Sequence, residues 1–338
     1  MKKLIWCLLM APFFCAAQSY TFKPLSENVK TSLRGLSVVS DRVTWVSGSN
    51  GTVGKTVDGG KTWTWMKPEG YEKLDFRDIE AFDENQAVAV NAGSPAYILK
   101  TIDGGKTWTE HYKNLDSAIF LDGLGFWDKN KAIIFGDPIN DKMQLLKTED
   151  AGATWANISA NLTMPMAKGE AGFAASGTTI KTLPGGRVWI ATGGMVSNIY
   201  YSADYGKHWQ RFKCPIWQGE STTGPFSMDF LNAKNGIVVG GNYVKDKENA
   251  NNVLLTNDGG RTWQKPATPV FGYRSGVCFI NANTLVATGT SGTDVSTDGG
   301  QHWKHISDHS FNAVQKAKNG KSVMLAGEKG SVYQFITN

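Results

Sequence analysis

Cysteine is scarce: four occur in 338 residues. Two of them, Cys7 and Cys15, lie in an apolar leader, and Cys214 and Cys278 fall in different repeats. That excludes a disulfide-stapled scaffold, and no bridge between the remaining pair is expected. No Cys/His spacing matches a zinc site, and no CxxC redox pair occurs. Every GG pair follows the Asp of a repeated box or ends a strand, so the glycine-rich strand-to-helix turn of a dinucleotide site is missing. We expect no cofactor and no metal. Charge of one sign is not in large excess either. The formal +5 falls to +3 without Lys2 and Lys3, too mild a surplus for a nucleic-acid partner. Beyond the leader nothing approaches the roughly 18 uninterrupted apolar residues of a membrane helix, so the chain is not expected to span a membrane. Sustained helical periodicity is absent as well.

The leader, MKKLIWCLLMAPFFCAAQ, reads as a secretory signal peptide, with two lysines, an apolar run from Leu4 to Phe14 and small residues before Gln18. Cleavage is expected after Ala17, giving a signal peptide over 1–17 and one domain over 18–338. The product would be secreted or periplasmic. Phe14 before Cys15 and Trp6 before Cys7 argue against lipidation.

What the sequence has in abundance is one eight-residue string. TVDGGKTW (Thr56–Trp63) returns as TIDGGKTW (Thr101–Trp108), TEDAGATW (Thr148–Trp155), SADYGKHW (Ser202–Trp209), TNDGGRTW (Thr256–Trp263) and STDGGQHW (Ser296–Trp303). The residues suggest a catalytic or metal loop, but a chemical site is built once, whereas a repeat architecture repeats what shapes its unit. In a structural reading, Asp58, Asp103, Asp150, Asp204, Asp258 and Asp298 accept backbone N–H groups of a tight turn. Glycine supplies the positive φ, and Trp63, Trp108, Trp155, Trp209, Trp263 and Trp303 anchor the outgoing strand in the core. The further oxygen ligands and later Glu of a calcium loop are missing from all six copies.

The box tryptophans are separated by 45, 47, 54, 54 and 40 residues, the length of one four-stranded propeller blade. The second unit shows the pattern as FRDIEAF, QAVAVNAG, AYILKTIDGG and KTWTEHY. After the sixth box, SFNAVQKAKNGKSVMLAGEKGSVYQFITN supplies three more strands. The missing fourth is SYTFKPL (Ser19–Leu25), which resembles TWTWMKP (Thr62–Pro68). The expected fold is all-β: a seven-bladed β-propeller with four-stranded blades, closed by pairing the mature N-terminal strand into the last blade.

In that fold the first strand of each blade lines the channel, and the boxes lie on the face opposite its start. Aligning the inward apolar residues places Arg34, Arg77, Asp122, Thr178, Phe226, Ser275 and Asn312 at one level, with Arg274 one residue away. Two arginines with a third nearby form a cationic mouth suited to carboxylate or phosphate groups. Asp78, Glu80, Asp122, Asp137 and Glu170 line or neutralise it. A second reading stands beside this one, in which the arginines pair with these acids and only stiffen the channel. The long connections Ala156–Ser176 and Cys214–Phe226 overhang the same face. There Met164, Met166 and Trp217 either cover blade ends or meet a partner, and Tyr243–Asn252 reads as a solvated loop.

The boxes resemble the BNR or Asp-box repeats of sialidases, sortilin-like receptors and other secreted propellers. With FRDIEAF, GDPIN and GEAGFAAS, the chain more specifically resembles bacterial relatives of the photosystem II stability/assembly factors, the YCF48-like proteins, some of them labelled oxidoreductases. That resemblance implies a non-enzymatic scaffold with an arginine-rich patch, here Arg34, Arg77 and Arg274, binding an unknown protein or an anionic or glycan ligand. The rival class is a glycosidase. Against a sialidase, LRGLS stands where an Arg-Ile-Pro element belongs, and no Tyr/Glu pair reaches the mouth. A two-carboxylate hydrolase using Asp122, Asp137 or Glu170 stays open.

Overall fold

The computed structural model describes residues 19–337; the signal-peptide reading of 1–17 lies outside them. Seven antiparallel sheets make up the chain. Their first strands are Leu33–Val38, Asp75–Ala81, Leu121–Phe126, Ile180–Leu183, Thr223–Phe230, Gly276–Phe279 and Ala313–Lys316. Each first strand touches the next and the seventh returns to the first, so the sheets form a ring of seven blades around a channel.

Burial follows position in the blade. Second strands such as Ala87–Ala92 and Gly236–Asn242 are apolar on both faces, because each blade is packed between two neighbours. Outer strands such as Thr109–Asn114 are largely exposed. In the last sheet Tyr20–Ser26 is the outer strand and pairs antiparallel with Val332–Thr337. The fifth sheet has three strands, and its fourth position shrinks to a bridge between Leu255 and Gln264. Pro266 and Pro269 follow that bridge; they lack the N–H a further ladder needs and turn the chain away.

The boxes act as turns. In the first, Asp58 accepts the Thr62 N–H at 3.0 Å and both threonine hydroxyls, while Thr56 Oγ1 accepts the Gly60 N–H at 2.9 Å. The other five repeat this set, with His208 and His302 replacing the second hydroxyl in two of them. Fourth and fifth positions have positive φ throughout, including Ala151 at 60° and Tyr205 at 62°. The box tryptophans pack against the blade cores to different depths. Trp303 is buried, but Trp63, Trp108, Trp155, Trp209 and Trp263 are half-buried and lie over the edge of the blade core.

These hydrogen bonds hold the carboxyls of Asp58, Asp103 and Asp150 at about 2, with the threonines as the main cause. A carboxyl whose folded value is depressed stabilises the fold above its unfolded value near 3.9, and that stability is lost as pH falls through the folded value. Buried Asp78 and Asp122 are raised and act in the opposite sense, favouring the fold while protonated. Melting temperatures should therefore fall steeply from about pH 4 towards pH 2. The slope should be shallower in Asp103→Asn; equal slopes would remove the boxes from the acid response.

Candidate functional site

Four first strands carry a β-bulge at the same level. The ladder passes from Leu33 to Gly35, from Phe76 to Asp78, from Leu121 to Gly123 and from Pro225 to Ser227. The residues left unpaired are Arg34, Arg77, Asp122 and Phe226. A bulge re-aims the side chain of its extra residue, and here all four line one cavity of about 400 Å³ on the face opposite the boxes. Ser275 and Asn312 reach it from the sixth and seventh blades, and Asp137 from a second strand.

The segment Gly172–Ser176 forms the floor. Arg34 Nη1 donates to the Ala175 carbonyl at 3.0 Å and Arg77 Nη1 to that of Ala174 at 3.4 Å. Gly172 N–H donates to Asp137 Oδ1 at 2.8 Å, and Ser176 Oγ to the Ser275 carbonyl at 2.6 Å. A Cβ on Gly172 would lie 2.3 Å from Asp122 Oδ2, so only glycine lets the floor pass the acid. The long fourth-blade connection therefore enters the channel rather than merely overhanging it.

The charges are arranged blade by blade. Arg34 has no carboxylate within ion-pair distance among the described residues, and burial, then Arg77, lowers its guanidinium below the ordinary value. Arg77 pairs with Asp75 at 2.7 Å. Asp122 is 2 % exposed and its carboxyl meets that of Asp137. Burial raises both acids, and for Asp122 the neighbouring Asp137 carboxyl adds to it. Opposite stands an aromatic wall: Phe173 stacks on Phe226 at 4.0 Å between centroids, Tyr273 and Tyr243 meet Phe226 edge-on, and Tyr243 is 48 % exposed.

Of the residues singled out in the sequence, Arg34, Arg77, Asp122, Asp137, Phe226, Ser275 and Asn312 come together in the mouth, and five do not. Arg274 is fully buried with its Nε 2.8 Å from Asp294 Oδ2, because the residue next to Ser275 points to the other face of the strand. Glu170 is buried and accepts from Thr192, Asn198 and Tyr200. Asp78 and Glu80 line a second cavity of about 320 Å³ on the box side of the floor, as does Thr178. There Asp78 accepts the Leu124 N–H at 2.7 Å and Glu80 pairs with Lys318. Sequence reasoning missed Asp75, Phe120, Phe173, Tyr243 and Tyr273.

Of the flanking segments, the methionines take the covering role and the Tyr243–Asn252 loop differs from expectation. Met166 is buried and Met164 packs against the same core, so they cover a blade end. Tyr243–Asn252 is tied down: the Asp246 carbonyl accepts the Tyr273 N–H at 2.7 Å, and Thr290 donates to the Asp246 carboxylate at 2.8 Å. Cys214 and Cys278 are buried free thiols in separate core clusters. Among the described residues no His/Cys/Asp/Glu cluster suits a metal, and no helix is long and apolar enough to cross a membrane.

Fold and boxes together define a seven-bladed Asp-box propeller with a charged, aromatic-walled mouth on one face. The family model described as Photosynthesis system II assembly factor YCF48 matches residues 15–116. Two solved structures of that name are similar over nearly the whole chain. "YCF48 bound to D1 peptide" has 15 % identity and a TM-score of 0.66, with 96 % of this chain and 97 % of that one covered. YCF48 from Cyanidioschyzon merolae has 16 % identity and a TM-score of 0.66, with 93 % and 98 % covered. The resemblance read from the sequence is thus a distant one. The GH74 xyloglucanase from Xanthomonas campestris is also similar, at 14 % identity and a TM-score of 0.61, with 93 % of this chain but 53 % of the enzyme covered. No curated protein matches the chain by sequence.

Proposed function

We propose that this protein is a non-enzymatic, exported binding or assembly scaffold that holds a segment of a partner polypeptide at its channel mouth. The observation that supports this most directly is the set of four bulges that turn Arg34, Arg77, Asp122 and Phe226 into one cavity. Two guanidinium forks beside an aromatic wall offer charge-assisted hydrogen bonds and apolar area together, the combination that anchors protein segments. The similar structure whose protein binds a D1 peptide agrees with this use of the fold.

The test is a pull-down from the cell envelope with wild type and an Arg34→Gln/Arg77→Gln variant of matched stability. Losing two charge-assisted contacts should weaken capture of the partner by roughly 10- to 100-fold. Equal recovery would make the arginines supports of the floor alone. Export is checked by N-terminal sequencing of the mature protein, with Gln18 expected first.

Glycan hydrolysis is the second reading, favoured by the likeness to the xyloglucanase and by the acid pair at the mouth. The geometry speaks against it. A glycosidase needs two carboxyls that flank a bond, whereas Asp122 is 2 % exposed with both oxygens buried, out of reach of a glycosidic bond. Glu170 is closed off by four donors, three on one oxygen and the Ala167 N–H on the other. A fluorogenic glycoside panel should show no turnover; turnover abolished by Asp122→Asn or Glu170→Gln would establish the enzyme instead.

A further inference from the structure

The charges around the mouth run in order around the ring. The first blade presents Arg34, a cation whose guanidinium is answered by a carbonyl and by no carboxylate within ion-pair distance among the described residues. The second presents Arg77, already neutralised by Asp75. The third presents the Asp122–Asp137 pair, where both Asp122 oxygens are buried without a hydrogen-bond donor and Asp137 is half-open to the cavity. A free positive end and a free negative end are therefore separated by one satisfied ion pair.

Taking the peptide-binding reading as its basis, we infer that the mouth selects a dipolar segment, one that places an acidic side chain on Arg34 and a basic side chain on Asp137. The Phe226, Tyr243 and Tyr273 wall takes the apolar stem between them. An acidic segment alone would leave Asp137, half-open to the cavity, with the Gly172 amide as its one donor, and a carboxyl desolvated by a ligand without a partner is costly. An ammonium or guanidinium from the ligand supplies a further donor to Asp137, the member of the pair that is open to the cavity. It also acts on the protonation of the pair, since a cation beside two carboxyls favours their charged forms. The groups facing the acid pair are Arg77 from the second blade and the Gly172 amide from the floor. Those acting on Arg34 are Arg77, Tyr273, Glu328 and Asp75.

Selection of a randomised displayed-peptide library on the whole folded protein tests this. Wild type should enrich peptides carrying an acidic and a basic residue at fixed spacing. Asp137→Asn, which keeps an oxygen for the Gly172 amide, should lose the basic residue and keep the acidic one; Arg34→Gln should do the reverse. In calorimetry with an enriched peptide in buffers of different ionisation heat, wild type should release more protons on binding than Asp137→Asn. Replacing the basic residue of that peptide should cost about tenfold or more in affinity. Enrichment of acidic residues alone would overturn the inference while leaving the peptide-binding reading standing. No enrichment over the Arg34→Gln/Arg77→Gln protein would overturn both.

Discussion

Arg274→Ala is expected to destabilise the propeller by about 3–5 kcal/mol, the usual cost of removing one partner from a buried ion pair. Both side chains of the Arg274–Asp294 pair are fully buried. Arg274 Nε and Nη2 reach the same Asp294 oxygen at 2.8 and 2.7 Å, and Nη1 donates to the Tyr273 carbonyl and to Ser291. The other Asp294 oxygen meets His305 Nδ1 at 2.9 Å. Alanine would leave a carboxylate in the core with one imidazole and the Phe271 N–H for company, and no cation on its second oxygen. The carboxylate, not the lost packing, dominates this cost, so Arg274→Met with Asp294→Leu should lose less than the single alanine variant. Denaturant unfolding reads both, and a single-variant loss under about 1 kcal/mol would contradict the assignment of Arg274 to the core.

Deleting Tyr20–Ser26 is expected to cost on the order of 5 kcal/mol from the half-buried Tyr20, Phe22 and Leu25 side chains. Tyr20 stacks on Phe335 at 5.6 Å, and Phe22 meets both Phe335 and Phe311. Leu25 packs into the core shared with the first blade, beneath Gly60 of its box. Without this strand, Val332–Thr337 becomes an unpaired sheet edge, a template for association with other chains. Unfolding curves should shift to lower denaturant, and size-exclusion profiles should show aggregates. A deletion variant that unfolds with the wild type as a monomer would show that the ring does not depend on this pairing.

The repeats made the blades legible, since each Asp turn needs the same hydroxyl, acid and glycine wherever it occurs. The channel level was legible for a related reason. LRGL, FRDI and LDGL each place two apolar residues three apart, which a regular strand would send to opposite faces. The intervening bulge explains that spacing and also turns Arg34, Arg77 and Asp122 into the mouth. Arg274 was misplaced because Tyr273-Arg274-Ser275 has no such bulge, so adjacent side chains part company. The floor was not legible at all: nothing local in GEAGFAAS tells a loop that overhangs a channel from one that enters it. That outcome depends on Arg34 and Arg77, more than ninety residues away, whose guanidinium groups accommodate the Ala174 and Ala175 carbonyls. Phe173 and Tyr273 entered the site with those contacts.

The central claim is that the mouth, not the box face, meets the partner. The most direct measurement is site-specific photo-crosslinking in the native cells, with the probe at Phe120 in the mouth or at Ala282 on the box side. The account predicts a discrete polypeptide adduct from Phe120 that disappears in the Arg34→Gln/Arg77→Gln protein, and none from Ala282. Adducts from Ala282 alone, or adducts from Phe120 unchanged by loss of the arginines, would contradict it.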